Sequence, residues 1–132
     1  MDAIQRMLDE RAIERLLVQY AADNDSGDWD AVAATYVDEG RMSRPTAPDD
    51  FIEGREAILA AFKDRPARAS RHVVANIRVD VAADGTASAV SQILLFLEQK
   101  APPLVGSYHD RLARTSAGWR FTERRGSLDF TD

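Results

Sequence analysis

This chain has few side chains with which to do chemistry, and their types narrow the possibilities at once. Its 132 residues contain no cysteine and only two histidines, His72 and His109. Without thiols there are no disulfides, no thiolate nucleophile and no Cys-ligated zinc or iron–sulfur site. Two imidazoles cannot make a three-His metal site within one chain. Chemical work is left to Asp, Glu, Tyr, Ser, Arg and those two rings. His72 falls near the start of a stretch rich in β-formers. Alternation there puts Val73, Ala75, Ile77, Val79 and Val81 on one face, and His72, Val74, Asn76, Arg78 and Asp80 on the other. Two placements satisfy the pattern. Either the apolar face meets the core and His72 is solvated, or His72, Val74 and Asn76 line a polar pocket and a second subunit covers the apolar face.

A second group of polar side chains closes an N-terminal helical stripe. At 100° per residue Asn24 falls near the centre of the stripe formed by Ile13, Leu17 and Tyr20, with Asp25 on its shoulder. Tyr20 and Asn24 would project inward as polar groups needing partners, or Asn24, Asp25 and Ser26 simply end the helix. Asp23 to Gly27 is not a calcium loop: its Gly comes one place early for an EF-hand, and the twelfth position is Ala34. No GxGxxG, Walker, HExxH or GxSxG pattern is present. Lys63, Arg65, Arg68 and Arg71 form a basic cluster, either an attractor for an anionic substrate or a solvated loop. Further along, Tyr108 shares a face with Leu104, Gly106, Asp110 and Leu112, and could line a cavity or pack in the sheet. Alternation separates Arg124 from Arg125, and either could enter a pocket.

The elements that would carry these groups follow from the hydrophobic period. A helical stripe covers residues 4–24, Ser26-Gly27-Asp28 breaks it, and Asp28 can cap a second helix over 29–36. A strand over 40–44 is expected before a loop at Pro45–Asp50, then a helix from Arg55 to Lys63. β-Rich segments at 69–82, 86–98, 104–115 and 119–130 read as two hairpins, turning at 83–85 and 116–118 and divided by Pro102-Pro103. Strands this long must twist and curl. The expected fold is therefore α+β: one domain over 1–132, with three helices packed in the concave face of a curved, mostly antiparallel sheet, leaving a pocket between the layers. Seventeen Lys+Arg against twenty-two Asp+Glu give a net charge of −5, which argues against nucleic acid as a partner. The N-terminus is charged rather than signal-like, and the apolar run Ile93 to Leu97 is far short of the roughly 20 residues needed to span a bilayer. A cytoplasmic protein without membrane partners is the expectation.

Several segments together resemble the SnoaL-like branch of the nuclear-transport-factor-2-like superfamily. They are Tyr20-Ala-Ala-Asp-Asn-Asp-Ser-Gly-Asp-Trp-Asp, Phe51-Ile-Glu-Gly-Arg-Glu-Ala-Ile, Arg71-His-Val-Val-Ala-Asn, Gly106-Ser-Tyr-His-Asp-Arg-Leu and Gly118-Trp-Arg-Phe, spread over residues 4–126. The resemblance implies a cone-shaped fold, a homodimer joined through its sheets, and an inward-facing His72. The superfamily's enzymes include scytalone dehydratase, bile-acid 7α-dehydratase, hexachlorocyclohexane dehydrochlorinase, ketosteroid isomerase and polyketide cyclases. The dehydratases and the dehydrochlorinase share an Asp at the end of the first helix and a His early on the first long strand, which Asp25 and His72 match. Tyr20 matches a Tyr five residues before the Asp of bile-acid 7α-dehydratase, and Arg124 resembles an Arg in the last strand of these lyases. Asn24 stands where scytalone dehydratase has a Tyr, and the second pocket His of that enzyme is missing. Arg44 aligns with the catalytic Asp of ketosteroid isomerase, a departure from that pattern.

What the resemblance implies is a small-molecule lyase, dehydratase-like, working by acid–base elimination with no cofactor and no metal. His72, Asp25 and Tyr20 would be catalytic, with Asn24, Asn76, Tyr108 and Arg124 against a hydrophobic cyclic substrate. An isomerase or polyketide cyclase using the same pocket is the alternative within enzymes. A non-catalytic protein that binds a ligand or dimerises is the alternative outside them.

Overall fold

The computed structural model describes residues 1–98 and 102–130. Helix α1 covers Ala3–Ser26. Asp2 caps its start by accepting the Gln5 N–H at 2.7 Å, and Gly27 ends it at φ 76°, a left-handed conformation that glycine adopts without strain. Asp28 then caps α2, Trp29–Ala33, through the Ala31 N–H. The rest of the chain order is β1 (Tyr36–Arg44), β2 (Ala47–Glu53), α3 (Arg55–Lys63), β3 (Ser70–Val81), β4 (Thr86–Leu97), β5 (Leu104–Thr115) and β6 (Gly118–Leu128). One six-stranded sheet runs β2-β1-β6-β5-β4-β3, antiparallel throughout except where β1 lies parallel to β6. The helices pack on this curved sheet, as the α+β expectation requires.

The core forms where the stripe of α1 meets the inner face of the sheet. Ile13, Leu17 and Tyr20 are buried with Val32, Tyr36, Ile58, Phe62, Leu112, Trp119 and Phe121. Each fully buried Leu or Ile side chain contributes about 1.5–3 kcal/mol. The inner positions of β4 include Ala87 and Ala89, small residues that leave room for the helical layer. At the far end of α1 a polar tie does similar work: the Asp9 carboxylate accepts from Arg114 Nη2 at 2.6 Å and from Trp119 Nε1 at 3.2 Å. That contact pins the start of the helix to the last hairpin.

Boundaries differ from expectation at the N-terminal side. The second helix stops at Ala33, and Thr35–Tyr36 already turn into β1, which starts four residues before Gly40. The expected loop at Pro45–Asp50 is instead a two-residue turn, Pro45-Thr46, followed by β2. β2 is an edge strand with little buried surface, so it carries no apolar alternation, and an edge tolerates Pro48.

Two β-bulges overturn the strict alternation expected of β3 and β6. In β3 the register slips between Ala75, opposite Gln92, and Arg78, opposite Val90. Asn76 sits in the bulge at φ 53°, a left-handed conformation more open to Asn than to most residues. His72 and Val74 turn inward before the slip, and Ile77, Val79 and Val81 after it. The strand thus turns His72 inward over its first half and its apolar residues inward over its second. In β6 the slip falls at Thr122, so Trp119 and Phe121 turn inward before it and Arg124 and Gly126 after it. The outer face keeps exposed Val73, Leu94 and Phe96 on β3 and β4. No helix of the described residues is long and apolar enough to cross a membrane.

Candidate active site

The C-terminal turns of α1 and the start of β3 meet at one end of the sheet, and the carboxylate of Asp25 joins them. Its Oδ2 accepts the backbone N–H of His72 at 2.8 Å, and its Oδ1 accepts Ser70 Oγ at 3.1 Å. Oδ1 also lies 2.6 Å from Nδ1 of His72. An ionised carboxylate only accepts, so the ring proton must sit on Nδ1, and Nε2 keeps a free lone pair. Both side chains are nearly closed to solvent, at 8% exposure for His72 and 11% for Asp25. Burial pulls the His72 pKa below its ordinary value, Asp25 opposes that pull, and the fields of Arg68 and Arg65 add to it. The imidazole is thus neutral at pH 7, the state a proton acceptor needs.

His72 forms part of the wall of a cavity of about 240 Å³ between helices and sheet. Tyr20 and Asn24, one turn apart on α1, face the same space, as does Tyr108 from β5. The Tyr20 hydroxyl lies 2.9 Å from that of Tyr36 and 3.7 Å from Met42 Sδ. Burial raises the Tyr20 pKa far above its usual value, so the group stays a neutral hydroxyl. Asp25 stands behind the His72 ring rather than on the cavity surface.

Two expected substrate contacts fall elsewhere. Asn76 is exposed on the outer side of the bulge and does not reach the cavity. Arg124 does turn inward, yet it lies behind the wall, with its guanidinium 3.8 Å from the centre of the Tyr108 ring and 4.3 Å from that of Tyr20. Its Nε is 3.1 Å from Asp110 Oδ1, a buried ion contact without hydrogen-bond geometry. Burial pushes the Asp110 carboxyl up to about 6 against the pull of Arg124. Arg125 points the other way and pairs with Asp49 at 3.1 Å, and His109 is exposed.

Residues that the alternation of the sequence did not mark complete the cavity. Met42, Ser43, Arg44 and Pro45 come from the end of β1 and its turn, Phe62 from α3, Ile93 and Leu95 from β4. The Ser43 hydroxyl is buried there with no partner among the described residues. The turn is held close because Gly126 lacks a side chain: a Cβ there would come within 2.7 Å of Pro45. Arg65 and Arg68 also line the space, and their basic cluster was the signal available for them. Among the described residues no three His, Asp or Glu side chains converge as a metal site requires.

Residues 5–125 match the SnoaL-like domain family. No curated protein matches the chain. A structure of a candidate scytalone dehydratase from Novosphingobium aromaticivorans superposes with a TM-score of 0.86 at 23% identity, covering 99% of this chain and 91% of that one. A protein from the same organism, described as nuclear-transport-factor-2-like with a cystatin-like fold, gives 0.86 at 24% identity over 98% and 87%. Hexachlorocyclohexane dehydrochlorinase LinA-type3 from Novosphingobium barchaimii gives 0.81 at 15% identity over 98% and 92%. At these identities the likeness establishes the fold.

Proposed function

The chain belongs to the SnoaL-like domain family, and we propose that it is a small-molecule lyase, dehydratase-like, that needs no cofactor. The observation that carries this reading is the His72–Asp25 contact of 2.6 Å, with His72 in the wall of a partly enclosed cavity lined by both apolar and polar side chains. Nε2 of His72 takes a proton from a carbon beside an electron-withdrawing group. The C–H electron pair becomes the new double bond as hydroxide or halide leaves from the neighbouring carbon with its own bonding pair. Asp25 stabilises the imidazolium formed in that step, and the proton then passes to a departing hydroxide as water. Tyr20 and Tyr108 supply hydroxyls for the leaving group or the carbonyl, while Asn24 positions the substrate. The two similar structures named for loss of water and of hydrogen halide support this choice of reaction. The substrate is hydrophobic and cyclic, matched to Met42, Ile93 and Leu95.

The protein acts, on this reading, in the cytoplasm as a homodimer joined through the outer face of its sheet, where Val73, Leu94 and Phe96 are exposed. The test is a panel of hydroxylated and halogenated cyclic compounds, followed by the ultraviolet absorbance of the new double bond. Turnover by the natural protein that disappears in His72→Gln is expected. Turnover that survives the substitution would remove His72 from the mechanism.

A further inference from the structure

Arg44, Arg65 and Arg68 stand around the cavity that His72 lines, and among the described residues none of the three forms an ion pair. Arg41, Arg55, Arg114, Arg124 and Arg125, by contrast, each lie against a carboxylate. Arg44 spends one contact on a backbone carbonyl, that of Ala61 at 3.2 Å from Nη2, and its Nε is sealed from solvent with no acceptor. Arg65 is half-buried, with its guanidinium 5.5 Å from the centre of the Phe62 ring and 5.8 Å from that of Trp29. Those rings stack on each other at 5.3 Å, so the cation rests on a fixed aromatic platform. Burial weakens the hold of Arg65 on its proton, and Arg68 and Arg44 are near enough to push the same way.

A chain with a net charge of −5 has thus lined this cavity with three arginines and no carboxylate, the nearest, Asp25, being committed to His72 and Ser70 in the adjoining cleft. Arg44 and Arg65 are partly buried and Arg68 is exposed, and gathering like charges where some are withdrawn from water is unfavourable unless something of opposite sign arrives. Guanidinium groups present paired N–H donors that fit the oxygens of carboxylates and phosphates. The same cavity also has an apolar lining, from Met42, Ile93 and Leu95.

We propose that the ligand is an organic anion, its carboxylate or phosphate oxygens held among Arg44, Arg65 and Arg68 and its hydrocarbon body against Ile93 and Leu95. The assignment rests on reading this cavity as the substrate site, and it places the reacting carbon toward His72. A negative head at one end and a ring at the other also gives the substrate a single orientation.

Calorimetric titration with 1-naphthoate, 1-naphthyl phosphate and the uncharged 1-naphthamide tests it. At least one anion should bind about tenfold or more tightly than the amide, with the preference shrinking as salt is raised. The stronger of the two anions identifies the head group. Arg65→Gln/Arg68→Gln, and separately Arg44→Gln, should erase most of the preference, and His72→Gln should keep it. Equal binding of amide and anions, no binding of any of the three, or a preference that survives both sets of Arg variants overturns the proposal. Anion preference without turnover on any substrate would defeat the lyase reading alone, and turnover without anion preference would defeat this one alone.

Discussion

Asp25 Oδ1 lies 2.6 Å from Nδ1 of His72, joining the last turn of α1 to the start of β3 across 47 residues of chain. The same carboxylate holds the His72 backbone N–H, so the ring and its peptide are fixed by a single group. Orientation and tautomer of the imidazole follow from one side chain, while burial favours the neutral ring against that side chain's pull.

Replacing either partner should separate chemistry from folding. His72→Gln is expected to lower kcat/KM by about 10²–10⁴-fold, the usual contribution of general acid–base catalysis. Because burial holds the His72 pKa below its ordinary value, the acid limb of the natural protein's profile should fall below about pH 6.5. Protonation removes the base, so activity drops as pH falls through that limb. Asp25→Asn takes away what opposes the burial effect, and the limb should move to lower pH still. A limb that moved upward in Asp25→Asn would show that the carboxylate does not act on the ring.

Arg124→Met should make stability depend on pH in a definite direction. Asp110, already raised to about 6 by burial, loses the neighbour that pulls it down. Breaking a buried pair from one side typically destabilises by about 3–5 kcal/mol. A carboxyl whose pKa is higher in the folded chain binds its proton more tightly there, so its contribution declines as pH rises from the unfolded value toward the folded one. Urea midpoints of the variant should recover on acidification from pH 7 to 5, over a range where those of the natural protein change less. A flat profile would argue against a lone buried carboxyl.

The Asp9 tie makes the opposite prediction. Its hydrogen bond from Arg114 holds the carboxyl below the usual carboxylate range, outweighing burial. Stability from this group is present above about pH 4, the unfolded value, and is lost as pH falls through the lower folded one. Asp9→Asn should cost about 1–3 kcal/mol at pH 7, measured by denaturant melts, and the deficit should shrink as pH falls below about 4. A deficit that persisted there would point to packing rather than charge.

Oligomeric state offers a further check. If the outer face of β3 and β4 joins two copies, Val73→Lys/Phe96→Lys should give a monomer by light scattering at micromolar concentration. The natural chain, exposing Val73 at 43% and Phe96 at 44%, should give a dimer. A natural chain that is already monomeric would leave those side chains as ordinary surface.

Much of this arrangement was legible in the residues themselves. The stripe Ile13, Leu17, Tyr20, Asn24 reads directly because a long helix repeats its period many times. The long strands and their Gly turns read for the same reason. What escaped was local. β2 lies exposed on an edge and carries no pattern, and the bulges at Asn76 and Thr122 change which side chains face inward without any change of composition. Hence Asn76 was expected inside and lies outside, while Arg124 faces inward but stops behind Tyr20 and Tyr108. The arginines of the cavity read in the sequence only as a basic cluster, and it is their common placement that distinguishes them from a solvated loop.

The bulge at Asn76 makes one strand answer to two sets of demands. Before it, β3 supplies His72 to the cavity and turns Val74 toward α1; after it, Ile77, Val79 and Val81 seal the core. The extra residue works as a gasket between those halves. Substitutions that retune the ligand end need not disturb the phase of the structural end, and the reverse holds too. Deleting that one residue would couple them again, turning either the base or the seal toward water. The position is therefore a natural boundary for swapping new ligand ends onto the same scaffold.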